Sequence, residues 1–202
     1  MLIYPKLPHG FTLIELMITV TVIGVLLVAG YPEMSTWLQN TKIRSYAETI
    51  SNGIQLARAE AVRRNTQVQF VLTSTLPIAA NTPALVASAS GPYWVVRKWD
   101  STNTYDPADP INAPWFIQGG GTEVTTSSAV VNATAANFRF NGLGRTNIGA
   151  ANVTIQVTNP TAGACVAASG PMRCLNVVVQ TGGQIRMCDP SIPVASGDTR
   201  AC

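Results

Sequence analysis

The sequence predicts an α+β fold: a long N-terminal helix, membrane-spanning in its first half and amphipathic in its second, packed on antiparallel β-sheet. Three observations lead there. An apolar run interrupted by a single acid extends from Phe11 to Ala29. Apolar residues then recur at helical spacing as far as Ala61, and after Asn65 the period drops to two in a series of short strands separated by proline and glycine. One long helix followed by a run of strands excludes alternating βαβ units and hence a parallel sheet.

The 202 residues leave room for one globular domain beyond the apolar run. Charged residues are 11% and hydrophobic ones 47% of the chain, a balance of secreted or assembly-embedded proteins, since cytosolic domains carry about a quarter charged residues. The net charge of +3 is unevenly spread. Residues 130–202 hold Arg139, Arg145, Arg173, Arg186 and Arg200 against Asp189 and Asp198. Residues 67–129 hold Arg97 and Lys98 against Asp100, Asp106, Asp109 and Glu123.

Four segments are expected: a leader over 1–10 that is removed, a transmembrane helix over 11–30, its amphipathic continuation over 31–66, and a β-rich domain over 67–202 with a C-terminal disulfide region. The run from Phe11 to Ala29 approaches the ~20 residues that a membrane helix needs and exceeds the 7 to 15 or so of a signal-peptide core. Glu15 sits inside it. A charge there costs roughly 2.5 to 3.5 kcal/mol, so the carboxylate calls for a cationic partner. Cleavage between Gly10 and Phe11 would create one, an amine one helical turn from Glu15 in the same subunit or a neighbouring one. A conventional signal peptide, with Lys6 as its basic end and cleavage after Val28-Ala29-Gly30, leaves Glu15 out of place. A permanent anchor leaves the Gly10-Phe11 junction unexplained.

Ile43, Ala47, Ile50, Ile54, Ala57 and Ala61 recur at spacings of four and three and form one stripe, with Arg44, Glu48, Arg58, Arg63 and Arg64 mostly off it. The stripe is expected to face a sheet, and residues 31–40 to meet other subunits. A helix from Phe11 to Arg64 would be about 80 Å long at 1.5 Å per residue, bent near Pro32. Val68, Phe70 and Leu72 mark a half-buried strand. Further strands are expected over 93–99, 115–118, 137–141, 152–158, 175–180 and 184–188. Loops are expected at Pro77 and Pro83, at Pro107, Pro110 and Pro114, and at Gly119-Gly120-Gly121.

Cys165, Cys174, Cys188 and Cys202 all follow an export element, which points to an oxidising compartment and two disulfides. Three connectivities exist. Cys165–Cys174 with Cys188–Cys202 closes two short loops containing glycine, proline or serine. No metal site is expected: the cysteines lack Cys-x-x-Cys spacing, and His9, the one histidine, leaves with the leader. Without His9 the remaining chain has no histidine for base-assisted catalysis, and no enzyme or cofactor is expected. Gly119–Gly121 lacks the Lys-Ser/Thr of a phosphate loop. Asp100, Asp106 and Asp109 miss the EF-hand spacing and suit turns instead.

Residues 10–16, Gly-Phe-Thr-Leu-Ile-Glu-Leu, resemble the processing site of type IV prepilins and of type II secretion pseudopilins. Phe138-Arg-Phe140-Asn-Gly142-Leu-Gly144-Arg145, and then Gly182-Gly183-Gln-Ile-Arg186-Met-Cys188-Asp-Pro190, resemble the C-terminal pattern of the GspH/FimT/FimU family of minor pilins and pseudopilins. The resemblance implies a peptidase cut after Gly10, methylation of the Phe11 amine, and pairing of Glu15 with a neighbour's N-terminus. It implies a minor subunit at or near the tip of a type IV pilus or type II secretion pseudopilus that helps initiate assembly. Its partners would be other pilins or pseudopilins, the prepilin peptidase and the inner membrane, with the C-terminal domain in the periplasm. Some FimT proteins carry Gly-Arg-x-Arg, linked to DNA uptake. The matching positions here are Gly183, Gln184, Ile185 and Arg186, with glutamine for the first arginine. The alternative function implied is a pilus-associated DNA-binding subunit for natural transformation, with Arg186, Arg145, Arg173 and Arg200 meeting phosphates.

Overall fold

The computed structural model describes residues 10–102, 104–106, 108–109, 114–121 and 129–202, without the side chains of 28–33. The leader residues 1–9 with Lys6 and His9, the loop residues Pro107 and Pro110, and Glu123 lie outside them, as do the side chains of Val28, Ala29 and Pro32. The chain divides into two compact units between Trp37 and Leu38.

Helix α1 covers Leu13–Arg64. Its assignment continues through Pro32, where a bend was expected. In the first unit every side chain described from Phe11 to Leu27 is solvent-exposed. Among the described residues no helix is long and apolar enough to cross a membrane. The described part of the apolar run stops at Leu27, while the sequence carries it on through Val28 and Ala29.

In the second unit, Leu38–Cys202, the end of α1 packs on two four-stranded antiparallel sheets. The strands are β1 (Val68–Thr73), β2 (Tyr93–Lys98), β3 (Phe116–Gly121), β4 (Val130–Ala133), β5 (Asn137–Phe140), β6 (Val153–Thr158), β7 (Leu175–Val179) and β8 (Ile185–Cys188). One sheet runs β3-β2-β1-β5 and the other β4-β6-β7-β8. Ile43, Ala47, Ile50, Ile54, Ala57 and Ala61 are completely buried and share a core with Phe70, Phe138, Phe140, Ile155 and Val177 from both sheets. Each isoleucine so buried contributes roughly 1.5 to 3 kcal/mol, which clamps the helix to the sheets. Tyr46 joins the stripe, donating its hydroxyl to the Pro92 carbonyl at 2.5 Å. Burial, and then the neighbouring Tyr93, push that hydroxyl well above the usual tyrosine range.

Three strand expectations need correction. β1 is buried on both faces. Its second face, carrying Gln69 and Val71, is covered by Leu85 and by Tyr105, contributed by long connections whose packing has no local period. Gly119–Gly121 is not a turn but the end of β3, paired with Tyr93, Trp94 and Val95. Glycine is needed for close approach. A β-carbon at Gly120 would lie 2.6 Å from the Trp94 ring, and one at Gly119 2.7 Å from Pro77. The same indole is pressed by Gly53 of α1, where a β-carbon would stand 2.9 Å away. The third correction is β4, which was not anticipated. It pairs with β6 and closes the second sheet.

Candidate functional site

The N-terminal segment is built by a helix start. Thr12 precedes the first helical residue, and its Oγ1 accepts the backbone N–H of Glu15 at 3.3 Å. This is half of a capping box, Thr-x-x-Glu, whose spacing is visible in the sequence though it was not singled out there. It places Glu15 in the first turn, where the helix dipole favours a carboxylate by about 0.3 to 1 kcal/mol. Among the described residues the carboxylate has no hydrogen-bond or ion-pair partner. Gly10 and Phe11 stand just outside the helix, both exposed, Phe11 by 83%. The arrangement offers an accessible Gly-Phe junction and, one turn on, an acid whose charge is unmet.

The disulfides join Cys165 to Cys174 and Cys188 to Cys202. The first lies at the end of the second unit where α1 enters. There Asn40 Oδ1 accepts the Arg173 backbone N–H at 2.8 Å, and Asn159 donates to Gln39 at 2.8 Å. The second fastens the C-terminal tail to β8. Arg186 reinforces it, donating to the carbonyls of Ala201 at 3.3 Å and Cys202 at 3.0 Å.

The four arginines assigned to phosphate binding are not brought together. Arg186 is turned to the tail, and Arg200 is paired with Asp198 at 2.7 Å. The hydrogen bonds from Arg200 hold the Asp198 carboxyl down to about 2. Arg173 lies beside Asn40 near the start of the second unit's helix. Arg145 lies at the opposite end, in the β5–β6 turn whose Gly144 abuts Arg58.

That turn carries the Gly142-Leu-Gly144-Arg145 motif. Asn141 Oδ1 accepts the N–H groups of Leu143 and Arg145, both at 3.0 Å, and Gly144 takes a φ of +72°. Thr146 donates to the carbonyls of Gln180 and Thr181 in the β7–β8 turn, locking the two turns together. Asn141 was not singled out in the sequence, although asparagine opening a Gly-rich turn is its signal.

A polar cluster sits on the outer face of the first sheet. Arg97, Gln69 and Arg139 occupy one cross-strand row. Arg97 is 5% exposed and has no acid as partner among the described residues: it donates to Gln69 Oε1 at 3.1 Å and to the Thr82 carbonyl at 3.0 Å, and it stacks 3.8 Å from the Tyr105 ring. Nearby, Asp100 accepts N–H and hydroxyl groups of Thr102 and Thr104 and the N–H of Tyr105. Burial raises its affinity for a proton, but these bonds prevail and hold it well below the usual carboxylate range. Asp100 thus orders a loop. Among the described residues no cluster of histidine, cysteine and acidic groups could hold a metal.

The family model of the type II transport protein GspH matches residues 46–183, and that of the prokaryotic N-terminal methylation motif matches residues 6–31. No curated protein matches the sequence. Among solved structures, the fold is similar to the type IV minor pilin FimU of Pseudomonas aeruginosa. The TM-score is 0.52 at 11% identity, covering 79% of this chain and 94% of that one. The solution structure of E. coli GspH aligns with a TM-score of 0.39 at 10% identity, covering 74% of this chain and 89% of the other.

Proposed function

The chain belongs to the GspH family, whose members are structural subunits of the pilin and pseudopilin kind, and from that membership we propose the following course of processing and assembly. The chain enters the inner membrane with residues 1–10 on the cytoplasmic side, the apolar run from Phe11 in the bilayer, and residues 67–202 in the periplasm. Prepilin peptidase cuts between Gly10 and Phe11, and the new amine is methylated. Glu15 then pairs with the Phe11 amine of a neighbouring subunit as the chain leaves the lipid, and residues 11–29 exchange lipid contacts for helix contacts. The subunit sits at or near the tip of a type IV pilus or type II secretion pseudopilus and helps to start the filament.

One observation carries this reading: a carboxylate, Glu15, unpaired among the described residues and fixed in the first turn of an apolar helix directly after a Gly-Phe junction. Glu15→Ala should leave membrane insertion and leader removal intact while strongly reducing the amount recovered in sheared filaments. Equal recovery of the variant and the wild type refutes the pairing. Mass spectrometry of exported chain beginning at Tyr31 refutes the cut.

A further inference from the structure

We propose that the face built by Arg58, Val62, Leu143 and Arg145 docks the carboxylate-bearing surface of a different subunit of the same filament. This deepens the filament-subunit reading above and rests on it.

The face is rigid. Asn141 clamps the turn through Leu143 and Arg145, the Gly144 N–H donates to the Asn141 carbonyl at 2.8 Å, and Thr146 bolts the turn to its neighbour. A β-carbon at Gly144 would stand 3.1 Å from Arg58 Nε and 3.3 Å from Val62 Cγ2, so turn and helix form one surface. On it Leu143 is 80% exposed and Val62 51%. A leucine held outward on a fixed turn loses little freedom when a partner covers it, which suits an interface anchor.

The cations around that anchor are unspent. Arg44, Arg63, Arg64 and Arg200 each hold a carboxylate, whereas Arg58 and Arg145 have no ion-pair partner among the described residues. A partner that covered Leu143 would desolvate them, and a guanidinium placed in an interface needs an acid opposite. The acid cannot come from the far end of a second copy. Lys42 and Arg173 mark that end, also exposed and without a carboxylate among the described residues, so stacked identical copies would oppose cation to cation. The complementary neighbour is therefore a different subunit with acidic residues around an apolar recess. Nucleic acid fits less well. Two arginines flanking two aliphatic side chains offer few phosphate contacts, and Arg186 and Arg200 are committed elsewhere.

The test places p-benzoylphenylalanine at Leu143 of the full chain in cells assembling the filament. The expected adduct is to another pilin-type subunit, through a peptide containing Asp or Glu identified by mass spectrometry. Arg58→Glu with Arg145→Glu should lower its yield about tenfold, and reversing the partner's acid to arginine should restore it. Both arginines are exposed, so formation of the two disulfides serves as the folding control. An adduct to a second copy of this chain, an adduct to DNA, or a yield indifferent to charge reversal overturns the proposal. So does the absence of any adduct while the chain is recovered in sheared filaments. Wild-type chain missing from filaments altogether would sink the subunit reading as well, which separates the two failures.

Discussion

Gly183 lies with its Cα directly against the carbonyl oxygen of Gly144, so that a β-carbon on the first would overlap the second. The contact joins the β7–β8 turn to the β5–β6 turn, and it explains why the two glycine-containing motifs, far apart in the chain, occur together. Gly183 also has a φ of +83°, the left-handed region that penalises a side chain.

Gly183→Ala therefore meets two obstacles at once, backbone strain and overlap with main chain that cannot rotate away. The expected loss of stability is about 2 to 4 kcal/mol. Urea unfolding of the full chain in detergent, followed by tryptophan fluorescence, measures it. A variant within 0.5 kcal/mol or so of wild type would mean that the turns separate freely.

Gly53→Ala tests the other close approach. In an open helix this change would stabilise by about 1 kcal/mol. Here the new methyl stands 2.9 Å from the Trp94 ring, and Gly120 on the opposite strand leaves the ring nowhere to retreat. The overlap outweighs the helix propensity, and a net loss of about 1 to 2 kcal/mol is expected in the same unfolding measurement. Stabilisation would show that the indole shifts at no cost.

These glycines mark where the sequence stops being readable. The helix stripe from Ile43 to Ala61 was legible because a helix facing a core leaves a period that survives in one dimension. Seven of the strands were located, and the N-terminal methylation motif was recognised, because alternation and a charge within an apolar run are both local signals. β4 was missed: in Val130-Val-Asn-Ala133 just two positions face inward, too few to show a period. Gly119–Gly121 was misread since glycine required by a distant indole looks the same as glycine in a turn. Arg186 was offered to phosphate because no local pattern announces that the chain's own tail returns to occupy it.

The pH response of the tail follows from Asp198. Its carboxyl is held at about 2 by hydrogen bonds from Arg200, against an ordinary value of 3.8. A carboxyl lowered in the folded state contributes order that is complete above its ordinary value and is lost as pH falls through its folded one. The tail should therefore loosen between about pH 4 and pH 2. Titration of the Asp198 carboxyl by NMR should give a midpoint near 2 in wild type, moving up towards 3.8 in Arg200→Ala. An unmoved midpoint would show that the ion pair is not formed in solution.

The tail is fastened twice, and the two fastenings should not be additive. The Cys188–Cys202 disulfide closes a loop with a sequence separation of 14, and Arg186 grips the carbonyls at its end. Replacing both cysteines by serine should cost about 2 to 4 kcal/mol, and Arg186→Ala with the disulfide intact about 0.5 kcal/mol. With the disulfide intact the arginine has little left to restrain, so elastase cleavage near the exposed Val194 should rise modestly in Arg186→Ala. With the disulfide removed, the arginine is the remaining clasp on the last two residues. Its loss should then raise cleavage well beyond the sum of the single effects, as expected of groups holding one element. Additive cleavage rates would mean that Arg186 and the disulfide act on separate parts of the tail.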